Sequence, residues 1–530
     1  MARGSPVALA PLVLGLGLAL AGCASLPEAY PRQESHALSD TADTRLARAL
    51  APQLARHGAR SGAYPLESGL DAFVARFVLT ETAQRSLDLQ YYIWHGDASG
   101  KLLLEALLRA ADRGVRVRLL LDDIGTAAKD EALLMLAAHS NIEVRLFNPL
   151  AMRGARTIGL LAEFERTNRR MHNKSFTADN QIGIVGGRNI GDEYFAARED
   201  VEMRDFDVIA VGPVVPQVSG AFDLYWNSAM AYPIEALARN EPEAQSVAQA
   251  RDGLHAFVES EKDGPYAQAL LRSPLAARLR ANAVEYFWGD ARMAYDDPQK
   301  IAVAPSDQET QLLSKLRSEV APPESELLVL SPYFVPGEAG VESLRRLCQR
   351  GVKVRIVTNS LASTDVVSVH SGYQRYRKSL LEAGIELYEL KPTAAQKQDE
   401  AAKHAGTTHG VSGSSRAALH AKTLVTDRRT LFVGSMNLDP RSVFLNTEIG
   451  VILEMPEMAR AFVERLDADL RGSAYRLALA PEDAAGSGRR IEWIALEDGR
   501  EIRYTAEPGA SIWRRLGAGL MSLLPIESQL

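Results

Sequence analysis

Residues 171–189 read MHNKSFTADNQIGIVGGRN, and residues 419–437 read LHAKTLVTDRRTLFVGSMN. Laid over one another, the two runs match His172 with His420, Lys174 with Lys422, Asp179 with Asp427, Gly186 with Gly434 and Asn189 with Asn437. Each begins as a strand-like run, and in a strand residues two apart share a face, so the His and Lys of each copy point the same way. Asp179 and Asp427 stand an odd number of residues from the His, on the other face, where a structural role is expected. Two imidazoles and two ammonium groups are implied at one site.

Outward from the motifs the duplication continues. SLDLQYYIW, KLLLEALLRAADRG and VRVRLLLDD alternate strand, helix and strand; SELLVLSPYFV, GVESLRRLCQRG and VKVRIVTNS repeat that order. RGVRVR (113–118) answers RGVKVR (350–355), and IEVRLFNP (142–149) answers IELYELKP (385–392), with an offset that grows slowly along the chain. Colinear matches over this length mark an internal duplication with too long a period for a solenoid. The strand–helix–strand order predicts an α/β fold with largely parallel sheets.

The 530 residues are 46% hydrophobic and 24% charged, a folded globular composition large enough for two or more domains. The net charge of -7 gives no overall attraction to nucleic acid. At the N-terminus, Arg3 precedes an apolar run over 7–21 that suits a signal-peptide core and is short for a spanning helix. It ends Leu20-Ala21-Gly22-Cys23, which resembles the bacterial lipoprotein box, with Cys23 as the lipidated residue; a short uncleaved anchor is the alternative. Either way the protein is expected at a membrane and exported. Ala24 and Ser25 carry no acidic inner-membrane retention signal, so inner and outer membrane both remain open. Cys348 is expected to be a small hydrophobe on a helix without redox role.

Between the copies, 218–319 has helical stretches and no counterpart motif, and is expected to pack outside the sheets or to shape a channel. Residues 391–415, KPTAAQKQDEAAKHAGTTHGVSGSS, read as a loop able to cover the site. After residue 475, RRIEWIALEDGREIRYTAE predicts a hairpin turning at Asp498-Gly499. SIWRRLGAGLMSLL is an amphipathic helix that either lies on a membrane or docks on the protein body.

Two Lys, two Asn and two His around one point suit a single tetrahedral anion, and a phosphodiester fits. Gly186, Gly187, Gly434 and Ser435 would let it approach the backbone, with Asn189 and Asn437 as donors to an oxyanion. Metal-free displacement at phosphorus needs a nucleophile and an acid on opposite sides, roles imidazole fills near neutral pH, with lysines stabilising equatorial charge. Each imidazole needs a carboxylate on its other nitrogen; Asp205 and Glu448, each just before an apolar strand, are the candidates. Lysine is a poor ligand and no HExxH spacing occurs, so no metal and no cofactor are expected.

These two motifs, with LDLQYYIW, VGGRNIGDEYF, SPYFVP, TNSLASTDVVSVHSGY and ELYELKPT, resemble the phospholipase D superfamily and within it the bacterial cardiolipin synthase C branch, from about residue 65 onward. The resemblance implies a pseudo-twofold pair of domains, each a mixed, mostly parallel sheet flanked by helices, with one active site at their interface. It implies His172 as the nucleophile forming a phosphohistidine and His420 as general acid and then base. Phosphatidylglycerol would be the acceptor, with phosphatidylethanolamine a possible donor. A separate small protein partner is also compatible with it, and nucleic acid is not expected. Gly187 stands where many relatives carry Ser. The expected division is signal peptide 1–22, tether 23–64, first phospholipase D-like domain 65–217 (motif region 166–193), helical connector 218–319, second domain 320–475 (motif region 414–441) and C-terminal hairpin and helix 476–530. Hydrolysis to phosphatidic acid, a tethered nuclease and a catalytically silent lipid-binding scaffold are the competing readings.

Overall fold

A computed structural model describes residues 26–27, 30, 32–126, 130–195, 204–238, 243–303, 311–392, 419–481 and 489–530. The signal peptide, Cys23 and nearly all of the expected loop over 391–415 lie outside the described residues.

The first half contributes β1 (Ser61–Leu66), β2 (Ser86–Tyr91), β3 (Arg116–Asp122), β4 (Ile142–Phe147), β5 (Ser175–Ala178), β6 (Ile182–Gly186), β7 (Asp207–Val211) and β8 (Ala231–Pro233). The second contributes β9 (Phe287–Tyr295), β10 (Glu326–Leu330), β11 (Lys353–Asn359), β12 (Glu386–Leu390), β13 (Lys422–Thr426), β14 (Thr430–Gly434), β15 (Ile449–Glu454) and β16 (Ala474–Leu479). Pairing orders the first half β8-β4-β3-β2-β5-β6-β7-β1. The second repeats it as β16-β12-β11-β10-β13-β14-β15-β9. Strands β1 and β9 pair antiparallel and join the halves.

The sheets are mixed, with helices flanking them, and the parallel pairing is less extensive than expected. It is confined to β2-β3-β4 and β10-β11-β12, the strands joined by helical crossovers. The motif strands return through tight turns instead, which forces antiparallel pairing. Asp179 (φ 52°) and Asn180 (φ 51°), like Asp427 (φ 54°) and Arg428 (φ 51°), sit in the left-handed region at those turns. The two aspartates are therefore turn residues rather than residues on the opposite strand face.

The RGV repeat is a helix stop. Helices Ala98–Asp112 and Gly337–Gln349 each end just before a glycine, Gly114 (φ 90°) and Gly351 (φ 88°), in a conformation that a side chain disfavours. Cys348 lies on the second of these helices, half-buried and unbridged.

Two expectations about the chain change. Residues 45–64, placed in the tether, fold onto the first half: helix Arg45–His57 buries Leu46 and Leu50, and β1, which begins in that stretch, pairs with β7. The apolar face of this helix covers the sheet instead of spacing the domain from a bilayer. The connector over 218–319 also contains β9, which pairs with β15 as β1 pairs with β7. Helices Ala244–Ser260 and Pro265–Arg272 are the parts that pack outside.

Apolar residues from both halves, among them Val185, Val208, Leu328, Val433 and Val451, form one buried cluster where the halves meet. The hairpin Ile491–Glu497 and Arg500–Tyr504 turns at Asp498 (φ 49°) and Gly499 (φ 75°), as expected, and extends the second sheet beyond β16. Among the described residues no helix is long and apolar enough to cross a membrane.

Candidate active site

The interface between halves is stitched by matched backbone contacts. His172 N donates to Thr447 O at 2.9 Å, and His420 N donates to Arg204 O at 2.8 Å. Thr447 and Arg204 each precede a candidate carboxylate. The pairing is therefore crossed: His172 Nδ1 lies 2.9 Å from Glu448 Oε2, and His420 Nδ1 lies 2.6 Å from Asp205 Oδ2. Each imidazole is held by a carboxylate from the other half. An ionised carboxylate only accepts, so Nδ1 carries the proton and Nε2 keeps its lone pair for chemistry.

Both lysines turn back on their own histidines. Lys174 Nζ donates to His172 O at 2.6 Å, and Lys422 Nζ donates to His420 O. All four side chains are buried. Burial, then the charges of Lys174 and Lys422, hold His172 well below the usual imidazole range. Burial and Lys422 bring His420 down to about 4, against the pull of Asp205. Burial likewise draws Lys174 far down and Lys422 to about 8. Each imidazole feels the charge of both lysines. Burial raises Glu448 to about 7 against Lys174 and Ser435. Burial alone would raise Asp205 too, but His420, Lys422 and Arg188 outweigh it and hold the group well below the usual carboxylate range. A site that strips water from two ammonium groups is completed by an anion.

Gly187 and Ser435 differ from the expected phosphate-binding role. Ser435 Oγ donates to Glu448 Oε2 and accepts from Ile449 N at 3.0 Å, so it holds the carboxylate instead of facing a ligand. At Gly187 a Cβ would stand 2.2 Å from Asp205 Oδ1, so the glycine makes room for the shorter carboxylate. Their backbone N–H groups are also taken, by Phe206 O and Ile449 O. Asn189 is closer to expectation: its Oδ1 accepts from Ile93 N at 3.2 Å while its buried Nδ2, a donor, has no protein partner. At Asn437 the buried unpaired atom is Oδ1, an acceptor, which differs from the expected donor role.

Asp179 and Asp427 stay out of the chemistry. Asp179 accepts from the N–H groups of Gln84, Arg85 and Ser86, and Asp427 from those of Glu324, Ser325 and Glu326. Each clamps the chain entering β2 or β10.

Several supporting groups went unnoticed in the sequence. Asp122, at the end of β3, accepts from Met171 N and Arg170 Nε, both at 3.0 Å; Asn359, at the end of β11, accepts from Leu419 N at 3.0 Å. A polar residue closing an apolar strand was the available signal. Asp296 accepts from Glu448 N at 2.9 Å and is itself paired with Lys300. Tyr92 stands edge-on to His172 and Tyr194 edge-on to His420, with ring centroids 5.1 and 5.2 Å apart.

Among the described residues, ligand-type atoms of His95, Asp97 and Glu193 lie within 4.8 Å of one another. His95 Nδ1 lies 3.0 Å from Glu193 Oε1, and Asp97 accepts from Gly100 N and Asp192 N. The trio braces the loop after β2.

A family model described as a cardiolipin synthase, phospholipase D-like domain matches residues 79–226 and again 316–470. The chain belongs to this family. The two matches take in β2–β7 of the first sheet and β10–β15 of the second, the strands that carry the crossed pairs. Cardiolipin synthase C of Escherichia coli K12 is 42% identical over 488 residues, covering 91% of this chain and 99% of that protein. Cardiolipin synthase B of Salmonella typhi is 27% identical over 77% of this chain and 79% of its own length. Among solved structures, phosphatidylserine synthase of Haemophilus influenzae Rd KW20 superposes with TM-score 0.52 at 14% identity, covering 81% of this chain and 92% of that one, a likeness of fold. For this member of the phospholipase D-like family, the crossed histidine–carboxylate pairs are the feature that organises the site.

Proposed function

We propose that this protein is a phosphatidyltransferase that forms cardiolipin through a phosphohistidine on His172. The single observation that carries the mechanism is the crossed pairing, in which two tautomer-fixed imidazoles share one buried bed of lysines. Membership of the cardiolipin synthase family supports the substrate class.

The donor phosphodiester binds between Lys174 and Lys422, with Asn189 and Asn437 alongside. Its negative charge opposes the burial that depresses the His420 pKa, so His420 is protonated in the complex. His172 Nε2 attacks phosphorus, the bond to the headgroup oxygen breaks, and His420 gives that oxygen its proton. His420 then takes a proton from a headgroup hydroxyl of phosphatidylglycerol. That oxygen forms the new bond to phosphorus as the bond to His172 breaks, and His172 is regenerated. Glu448 and Asp205 stabilise each imidazolium as it forms. The donor is phosphatidylglycerol or phosphatidylethanolamine.

The protein is anchored through a lipidated Cys23 and faces the periplasm. Purified protein incubated with phosphatidylglycerol, with and without phosphatidylethanolamine, should yield cardiolipin by mass spectrometry. Phosphatidic acid without cardiolipin would instead assign hydrolysis.

A further inference from the structure

The C-terminal helix Ile512–Met521 turns its apolar side outward. Trp513 is 75% exposed, Leu520 68% and Leu523 79%, with Ile512, Leu516 and Leu524 also open. Its other side is fixed: Ala518 is buried, Arg514 Nε donates to Leu361 O at 2.7 Å, and Gln374 Nε2 donates to Ala518 O at 3.1 Å. A second apolar crest, Ile158, Leu161 and Phe164, occupies the segment leading into His172. The two crests are tied together. Arg441 donates to Asn168 O at 2.9 Å and to Gln529 O at 3.0 Å, and Asn168 Nδ2 donates to Gln529 Oε1 at 2.7 Å.

We propose that these two crests form one surface that docks on a phospholipid bilayer and sets the catalytic cleft against it. This deepens the phosphatidyl-transfer reading and rests on it for the substrate. Two further observations choose a bilayer over a protein. First, Arg32 donates to Ser228 O, Asn148 N donates to Met230 O nearby, and Asn148 Nδ2 donates to Arg166 O and Arg169 O beside the second crest. Arg32 therefore lies on the side of the body that carries that crest. A fully extended 23–32 segment reaches at most about 30 Å, which keeps this side near the membrane holding the anchor. Second, in a chain of net charge -7 the exposed Arg515, beside Trp513 and Leu516, has no acidic residue over 511–524. An exposed arginine beside an apolar helix face suits an anionic lipid surface.

The test uses the full lipidated chain reconstituted in vesicles of phosphatidylethanolamine and phosphatidylglycerol. Acyl-brominated lipids should quench the emission that Trp513→Phe removes. Leu516→Glu/Leu520→Glu should abolish that quenching and slow turnover of vesicle phosphatidylglycerol about tenfold, while turnover of monomeric short-chain phosphatidylglycerol stays within about twofold. Unquenched Trp513, or wild-type vesicle turnover in the double variant, overturns docking. So does a stable dimer split by the double variant, which would assign the face to a second copy. Wild-type protein inactive on both substrates would remove the transfer reading, and the quenching would still decide docking.

Discussion

His172 Nδ1 lies 2.9 Å from Oε2 of Glu448, a residue of the other half of the chain, and His420 repeats the arrangement with Asp205. Neither half therefore holds a complete catalytic unit, since the group that fixes each imidazole arrives only when the duplicated sheets meet. Glu448→Gln keeps the shape and removes the charge that stabilises an imidazolium. It should slow transfer roughly 10²- to 10⁴-fold with little change in unfolding temperature. Rapid-quench kinetics on both proteins, with calorimetry beside them, read the two effects separately.

The halves differ at Gly187 and Ser435. Ser435→Ala removes the hydroxyl that holds Glu448 and should cost about tenfold in turnover. Gly187→Ala is expected to cost more, because the new Cβ meets Oδ1 of the buried Asp205, which already accepts from Phe206 N while Oδ2 of the same carboxylate holds His420. Turnover numbers for the two variants on one substrate check the order.

Asp179 and Asp427 should act on stability alone. Replacing Asp179 by Ala strands three backbone donors at a buried position and should cost about 1–3 kcal/mol, with turnover at permissive temperature preserved. Asp427→Ala should cost less, because Asp427 is itself only half-buried where Asp179 is fully buried, so water can replace its carboxylate. Denaturant titration of each variant measures the difference.

An alkaline limit is expected from Lys422. Its ammonium is held down to about 8 by burial, so the free enzyme loses this charge as pH rises through that value, and kcat/KM should fall there. A bound phosphodiester favours the charged lysine, so the corresponding limb in kcat should lie higher. Profiles of both parameters over pH 6 to 10 on a soluble substrate test the sign. A kcat/KM that is flat to pH 10 would contradict it.

The duplicated motif was readable because it is local: His, Lys, Asp, Gly and Asn recur at fixed spacing within one hairpin. The chemistry those residues suggest followed from their types. What escaped the sequence was everything set by contacts between distant segments. Asp205 and Glu448 were recognisable as candidates, but their exchange between halves depends on the β1–β9 junction, and β9 was hidden in a stretch read as helical. FWGDARMAY places Asp290 and Arg292 among its apolar residues, with Arg292 paired to Glu454, so alternation is weak where the strand packs. Ser435 was given to the ligand as a small residue that lets a phosphate approach the backbone. Only the position of Glu448 shows where its hydroxyl turns.

The central claim is that His172 carries the transferred group while His420 moves protons. The most direct measurement is an alkaline quench of the enzyme with labelled phosphatidyl donor, followed by peptide mass spectrometry. The account predicts a phosphatidyl adduct on the His172 peptide of the wild-type protein, its persistence in His420→Ala with a donor whose leaving group needs no proton, and its absence in His172→Ala. An adduct on His420, or one that survives in His172→Ala, would contradict it.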